Sequence, residues 1–289
     1  MGDVSINYCR SLRPDALAGA TALTRLEATR LSELQLGLLD GLRTRLRALK
    51  LHRCPIDDHA LRLMPHVDRL SVAFAPAHFR GTHIGAMTGL RNVKLLGCGG
   101  LSDMRLGACA SLTALSVSLC GVPPAGMADV MPRLQASELA EMSNVDDTML
   151  GAATGLTRLE LSKVEGIDGS CFECMQRLWE LKLQEMDGLS GCCLAPLAGS
   201  LLELDARNSA LDEEGVGALT GLRRLTLDRC RGVSMDAVRQ MPMLRHLDVT
   251  VLRKDRSATA ESWRRVRGRE GAAALRAEMP QLEHVRVAS

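Results

Sequence analysis

The sequence predicts an α/β fold, a right-handed solenoid of short parallel strands and short helices, and three observations predict it. The first is a phrase, L-x-x-L-x-L-x-x-C followed by an aliphatic residue and then Ser or Asp, that returns about every 22 residues. Leu90, Val93, Leu95 and Cys98 spell it, as do Leu112, Leu115, Val117 and Cys120, and again Leu222, Leu225, Leu227 and Cys230. A fixed period of this length means that each unit buries its apolar face only against its neighbours. The second is a composition of 46% hydrophobic but only 2% aromatic residues, as expected for identical thin layers filled by aliphatic side chains. The third is punctuation. Met-Pro at 64–65, 131–132, 241–242 and 279–280, and Thr-Gly at 88–89, 154–155 and 220–221, stand where a helix must stop and a strand begin.

With the first residue of the phrase as position 1, repeats begin at Met1, Leu23, Leu46, Val67, Leu90, Leu112, Leu134, Leu156, Leu178, Leu201, Leu222 and Leu244. The gaps run from 21 to 23 residues, and a last strand begins at Leu282 after a gap of 38. About twelve repeats in continuous succession predict a single domain over 1–289. Since the match starts at residue one without a polar cap, the first strand is expected to be covered by a partner, or the chain to belong to something longer.

Within a repeat the L-x-L core alternates in and out, the period of a half-buried strand. Positions 2, 3, 5, 7 and 8 are therefore predicted to point away from the core. Short oxygen-bearing side chains after the corner, at Asp57-Asp58, Ser102-Asp103, Asp146-Asp147, Asp212 and Ser234, are predicted to cap the helix that follows. Strands stack about 4.8 Å apart while helices need more width. The stack must curve, with the strands lining a concave inner face.

The phrase resembles the leucine-rich repeat family over essentially the whole chain. Cys at position 9 followed by Val-Ser, Ile-Asp-Asp or Leu-Ser-Asp is similar to its cysteine-containing subclass, found in the substrate-binding arms of F-box proteins. These repeats are shorter than that subclass's, no F-box is present, and Leu31, Ala75, Met142, Val164, Met186, Ser209 and Leu252 replace Cys at the diagnostic position. The resemblance implies a substrate-recognition adaptor or an effector-like adaptor, binding on the concave face.

Charge on the outward positions changes along the array. Repeats at 46, 67 and 90 offer Arg47, Lys50, His52, Arg53, Arg69, Arg91 and Lys94 against Asp68. Repeats from 134 to 201 offer Glu138, Glu141, Glu160, Glu180, Glu185, Glu203 and Asp205, diluted by Arg158, Lys163, Lys182 and Arg207; Arg223, Arg224 and Arg229 follow. Blocks of this kind either form a solvated face or orient a partner of complementary charge. Phe74, Leu96, Leu119, Trp179, Leu202 and Val251 place apolar side chains in outward slots, and Trp179 beside Leu202 is the strongest candidate anchor, Trp being enriched at binding hot spots. The protein-binding set is therefore Trp179, Leu202, Glu160, Glu180, Glu203, Asp205, Phe74, Arg53, Lys94 and Arg224. Phe79 and Phe172 fall at core-facing positions.

The insert at 253–270, RKDRSATAESWRRVRGRE, carries seven Arg or Lys against three acids. Ser257 to Arg267 predicts a short basic helix. It reads either as a capping helix or solvated loop, or as a contact for RNA or a partner through Arg253, Lys254, Trp263, Arg264, Arg265 and Arg267. A structural subunit of a large ribonucleoprotein assembly is thus the alternative to a protein-binding scaffold.

Cys171-x-x-Cys174 has redox or metal spacing, but a zinc site needs four converging ligands and Cys192-Cys193 only follows one repeat later. The histidines are scattered, and neither a P-loop nor a Ser-His-Asp arrangement stands against the repeat. No enzyme, cofactor or metal is expected. Ten cysteines, five of them (Cys9, Cys54, Cys98, Cys120, Cys230) at position 9, read as packing residues of a reducing compartment. With no apolar run long enough to span a bilayer, an intracellular and cytoplasmic protein is expected, without membrane insertion.

Overall fold

Alternating aliphatic residues bounded by turns form strands here once per repeat. The computed structural model describes residues 2–7, 16–17, 19–31, 42, 44–56, 58–62, 64–189, 193–230, 232–252 and 254–288. The chain forms two compact units, residues 1–144 and 145–289. The first holds β1 (Gly2–Asn7), β2 (Leu23–Thr29), β3 (Ala48–His52), β4 (Arg69–Ala73), β5 (Asn92–Leu96), β6 (Ala114–Ser118) and β7 (Ala136–Ala140). Each pairs in parallel with the next. The second holds β8 (Arg158–Ser162), β9 (Glu180–Gln184), β10 (Glu203–Arg207), β11 (Arg224–Asp228), β12 (His246–Thr250) and β13 (His284–Ala288), again parallel in chain order. One repeat along the sequence is one strand across the sheet: Leu49 pairs with Leu70 and Leu70 with Val93, as Leu181 pairs with Leu204 and Leu204 with Leu225. This is the α/β solenoid that the period predicts.

The return from strand to strand leaves room for little more than one helical turn. It is α-helical at α1 (Asp58–Arg62), α2 (Pro124–Ala128), α3 (Asp147–Gly151), α4 (Glu213–Gly217) and α5 (Met235–Arg239). At Ile84–Ala86, Leu106–Ala108, Met131–Arg133, Ser170–Cys174 and Ala195–Leu197 it is a tighter 3-10 turn. Pro132 lies inside one of these turns, so Met131-Pro132 does not follow a helix end as expected. Returns are packed tightly: a Cβ on Gly126 of α2 would stand 2.3 Å from the Met104 carbonyl oxygen of the preceding repeat.

Positions 1, 4, 6 and 9 form the core. Leu178, Leu181, Leu183 and Met186 of one repeat are each no more than 1% exposed, and Phe79 and Phe172 are fully buried. Position 4 is Leu or Val in the repeats at 46, 67, 90 and 112, but Ser137 holds it in the next, buried, with no hydrogen-bond partner for its hydroxyl. An unpaired buried hydroxyl costs free energy. Ser137→Ala is accordingly expected to stabilise the fold by about 1 kcal/mol in denaturant melts; a loss of stability would show that the hydroxyl is satisfied in solution.

Position 8 carries a feature that the repeat phrase does not announce. Arg30, Arg53, Phe74, Leu119, Glu141, Lys163, Glu185, Asn208 and Arg229, together with Gly97, have φ between 45° and 60°. This left-handed turn aims the position-8 N–H at the position-7 carbonyl of the next repeat, as in Phe74 to Leu96 at 2.7 Å and Glu185 to Arg207 at 2.8 Å. Val251, β-branched and ill-suited to that conformation, occupies the same position without it.

Caps form at Asp146, Asp212 and Ser234, whose side chains accept from Met149, Gly215 and Asp236 N–H. Ser102-Asp103 does not cap: its turn begins at Leu106 after Arg105, and Asp103 accepts instead from the Arg105 side chain at 3.2 Å. Asp57 lies outside the described residues. Its neighbour Asp58 reaches forward to the Arg80 N–H at 2.8 Å. Asp147 does this more fully, its carboxylate accepting from the N–H groups of Asp168 (2.7 Å), Gly169 (3.2 Å) and Cys171 (3.0 Å) in the following repeat.

The long last gap holds two helices, α6 (Ala258–Arg265) and α7 (Gly268–Glu278), of which only the first was expected. Ser257 caps α6 by accepting from Ala260 N–H. Trp263 is 2% exposed and donates its indole N–H to the Val233 carbonyl at 2.8 Å. Arg239 of α5 is bound to Glu278 of α7 at 2.9 Å. The insert is thus an enlarged return packed on the array, and β13 resumes the sheet after it.

Candidate functional site

In the second unit, β8 to β11 and the residues just before them carry seven of the ten predicted residues. Trp179 is 36% exposed, and its carbonyl accepts from both the Leu202 and Glu203 N–H groups, which fixes Leu202, half-buried, in the neighbouring slot. Glu160, Glu180, Glu203 and Asp205 are half-buried on the same strands. They do not form the open acidic strip that the sequence suggests. Glu180 lies 3.1 Å from Lys182, Asp205 is held by Arg207 at 2.8 Å, and Glu203 faces Arg224 at 3.6 Å. Residues two apart on a strand share a face, which pairs Glu180 with Lys182 and Asp205 with Arg207, while Arg224 faces Glu203 from the adjacent strand and Glu160 makes no ion pair among the described residues. The contact with Glu180 raises the Lys182 pKa, and the bond to Asp205 raises that of Arg207, keeping both cations charged. The face is polar but locally neutralised, with Trp179 its exposed apolar element.

In the first unit Phe74, 39% exposed, lies under the Arg53 guanidinium at 5.1 Å, with the His52 ring edge-on at 5.5 Å. Leu119, 46% exposed, occupies the same position two repeats on, and Leu96 is half-buried. Lys94 is paired with Glu138 at 3.0 Å, and Glu138 also accepts from Ser116 at 2.7 Å. Val251, expected to point outward, is only 8% exposed, and its N–H meets the Ala288 carbonyl at the end of β13. Among the described residues Met243 is the most exposed large hydrophobic one, at 59%; it lies just before a position 1, outside the predicted set.

The basic insert divides. Trp263 is buried and cannot stack on a base, while Arg264, half-buried, bonds to the Leu252 and Asp255 carbonyls. The amphipathic α6 turns its single Trp inward, which the basic composition of the segment concealed. Lys254, Arg265 and Arg267 stay exposed, while Arg253 lies outside the described residues.

The position-9 thiols explain themselves chemically. Cys120 Sγ accepts from the Cys98 N–H and faces the Ser118 carbonyl at 3.1 Å, and Ser209 Oγ makes the equivalent bonds to Met186 N–H and the Arg207 carbonyl. Cys54, Cys98 and Cys230 donate to the position-6 carbonyl one repeat back. A small heteroatom at the corner thus satisfies buried backbone groups. Burial pushes the Cys109 and Cys230 thiols up to about 11, and burial with nearby Asp147 raises Cys171. Cys171 is buried and Cys174 exposed, so this pair does not converge; Cys9 and Cys192 lie outside the described residues. Among the described residues no group of three or more His, Cys, Asp or Glu is placed to hold a metal. Native-state alkylation is expected to modify Cys174 well before Cys54, Cys109 and Cys171, since the thiolate is the reactive form; peptide mass spectrometry reads the order directly.

No helix among the described residues is long and apolar enough to cross a membrane. No family model matches the chain, and no curated protein matches it. Solved structures do. An internalin from Listeria monocytogenes superposes with a TM-score of 0.61 at 16% identity, over 96% of this chain and 85% of that one. TLR13 in its complex with ssRNA13 gives 0.54 at 15% identity, over 86% and 43%. The Drosophila Toll–Spatzle complex gives 0.54 at 16% identity, over 83% and 41%, so the chain spans less than half of these last two. At these identities the likeness is one of fold, that of the leucine-rich repeat solenoid.

Proposed function

We propose that the chain is a non-catalytic scaffold that holds a protein partner against its strand face, as a cytoplasmic substrate-recognition adaptor would, its two units serving as one interaction domain. The observation that carries this reading is Trp179, 36% exposed immediately before β9 and set beside Leu202, which immediately precedes β10. Three of the four surrounding acids, Glu180, Glu203 and Asp205, are already paired, so an apolar anchor rather than net charge supplies affinity, and charge supplies orientation. Fold neighbours include a complex with a protein ligand, Toll–Spatzle. Affinity purification of the tagged chain from its own cells, with and without RNase, tests the proposal. Trp179→Ala is expected to weaken the principal partner by about 2 kcal/mol, on the order of 30-fold; retention of every partner by that variant would sink it.

A second reading, a subunit of a ribonucleoprotein assembly, is favoured by the exposed Lys254, Arg265 and Arg267 and by the fold likeness to a complex with single-stranded RNA. It predicts a partner set that collapses under RNase and survives Trp179→Ala.

A further inference from the structure

We infer that the first unit carries a separate binding surface, at the N-terminal edge of its strands, for an extended acidic peptide segment. A groove of about 690 Å³ runs there, lined by Arg47, Arg69 and Arg91 together with His66, Asn92 and Asp68. The arginines come from three successive repeats. They face a single carboxylate, Asp68, which lies 3.8 Å from the Arg69 Nε. Arg47 reaches only the His66 carbonyl, at 3.3 Å, and Arg91 makes no ion pair among the described residues. On the same unit Lys50 is matched by Glu27 at 2.7 Å, Lys94 by Glu138 at 3.0 Å and Arg105 by Asp103 at 3.2 Å. Three guanidinium groups against one carboxylate leave this groove with an excess of positive charge.

Its hydrogen-bonding capacity is equally one-sided. The Arg47, Asp68 and Arg91 carbonyls each already accept two backbone N–H groups from the next repeat. What remains on offer is largely donors: three guanidinium forks, the Asn92 amide and the His66 ring. A ligand rich in anionic acceptors is what such a lining recognises, and a planar guanidinium matches a carboxylate with two parallel bonds. Neighbouring strands stand about 4.8 Å apart, and alternate residues of an extended peptide project to one side about 6.6 Å apart. Flexible arginine stems easily span that difference, so acids at every second residue meet successive repeats. A single-stranded nucleic acid fits less well, because among the described residues no Phe, Tyr or Trp lines the groove and His66 offers a base its one aromatic ring.

Fluorescence anisotropy on the full chain tests this with three labelled probes: a peptide alternating Glu and Ser, its Gln counterpart, and an oligouridylate of equal length. The Glu peptide is expected to bind, weakening as salt rises from about 0.05 to 0.3 M. The pair Arg69→Glu and Arg91→Glu is expected to lower its affinity by at least about tenfold. Trp179→Ala is expected to leave it unchanged, which separates this surface from the proposed protein-binding face. Both arginines are exposed, and Arg91→Gln, with an unchanged melting curve, supplies a milder variant if charge reversal disturbs folding. Equal binding of the Gln peptide, preference for the oligouridylate, or indifference to the arginine substitutions would each overturn the inference.

Discussion

Asp147→Ala is expected to destabilise the second unit by about 3 kcal/mol, far more than a half-exposed acid usually commands. The reason is its position at the start of α3, from which the carboxylate spans the gap to the next repeat. There it closes three N–H groups, those of Asp168, Gly169 and Cys171, at 2.7, 3.2 and 3.0 Å. Hydrogen bonds to a charged acceptor are worth about 1.5–3 kcal/mol each, though three on one carboxylate are not additive. Alanine would leave all three donors without a partner. Asn, keeping one oxygen, is expected to lose roughly half as much. Asp58→Ala, which gives up a single bond to Arg80 in the first unit, is expected to cost least of the three. Chemical denaturation of the three variants gives the ranking; an Asp147→Ala variant as stable as Asp58→Ala would show that the inter-repeat bonds contribute little.

Gly126→Ala tests packing against propensity, because the two give opposite signs. Within a helix, Gly to Ala is worth about 1 kcal/mol of stabilisation. Here the added methyl would stand 2.3 Å from the Met104 carbonyl oxygen, a backbone atom that cannot swing aside. Overpacking of this kind costs about 1–3 kcal/mol before any gain is counted, and a backbone obstacle places this site at the upper end. A net loss of about 2 kcal/mol is expected. A melting curve shifted toward higher stability would mean that adjacent returns slide apart freely, and that the close stacking of α2 on the preceding repeat is not a constraint.

The repeat phrase contained the sheet nearly in full: positions 1, 4, 6 and 9 mark the core of the strands, Val251 is buried outside that pattern, and one period per strand follows from the regularity of the phrase. The returns were less legible, because a five-residue α-turn and a 3-10 turn are drawn from the same short, mixed stretch. Side-chain pairing was legible only in part. Lys182 beside Glu180 and Arg207 beside Asp205 are two residues apart on strands, yet a strip of acids counted along the array conceals them. Trp263 was misplaced for a different reason. A helix rich in Arg looks solvated, while its one apolar face decides where it docks, and the Val233 carbonyl gives the indole a buried partner. The left-handed residue at position 8 carries no residue-type signal, since Arg, Phe, Leu, Glu, Lys and Asn all occupy it.

That indifference at position 8 has a meaning for anyone wishing to recode the molecule. Nine side chains of six types stand at one edge of the strands, each presented by the same backbone turn and each outside the core pattern. A combinatorial library at these sites would vary surface chemistry repeat by repeat without touching the aliphatic layers. Its alphabet would be restricted in one respect, because Val, Ile, Thr and Pro fit a positive φ poorly. Asn, at home in that conformation, would be its safest neutral letter.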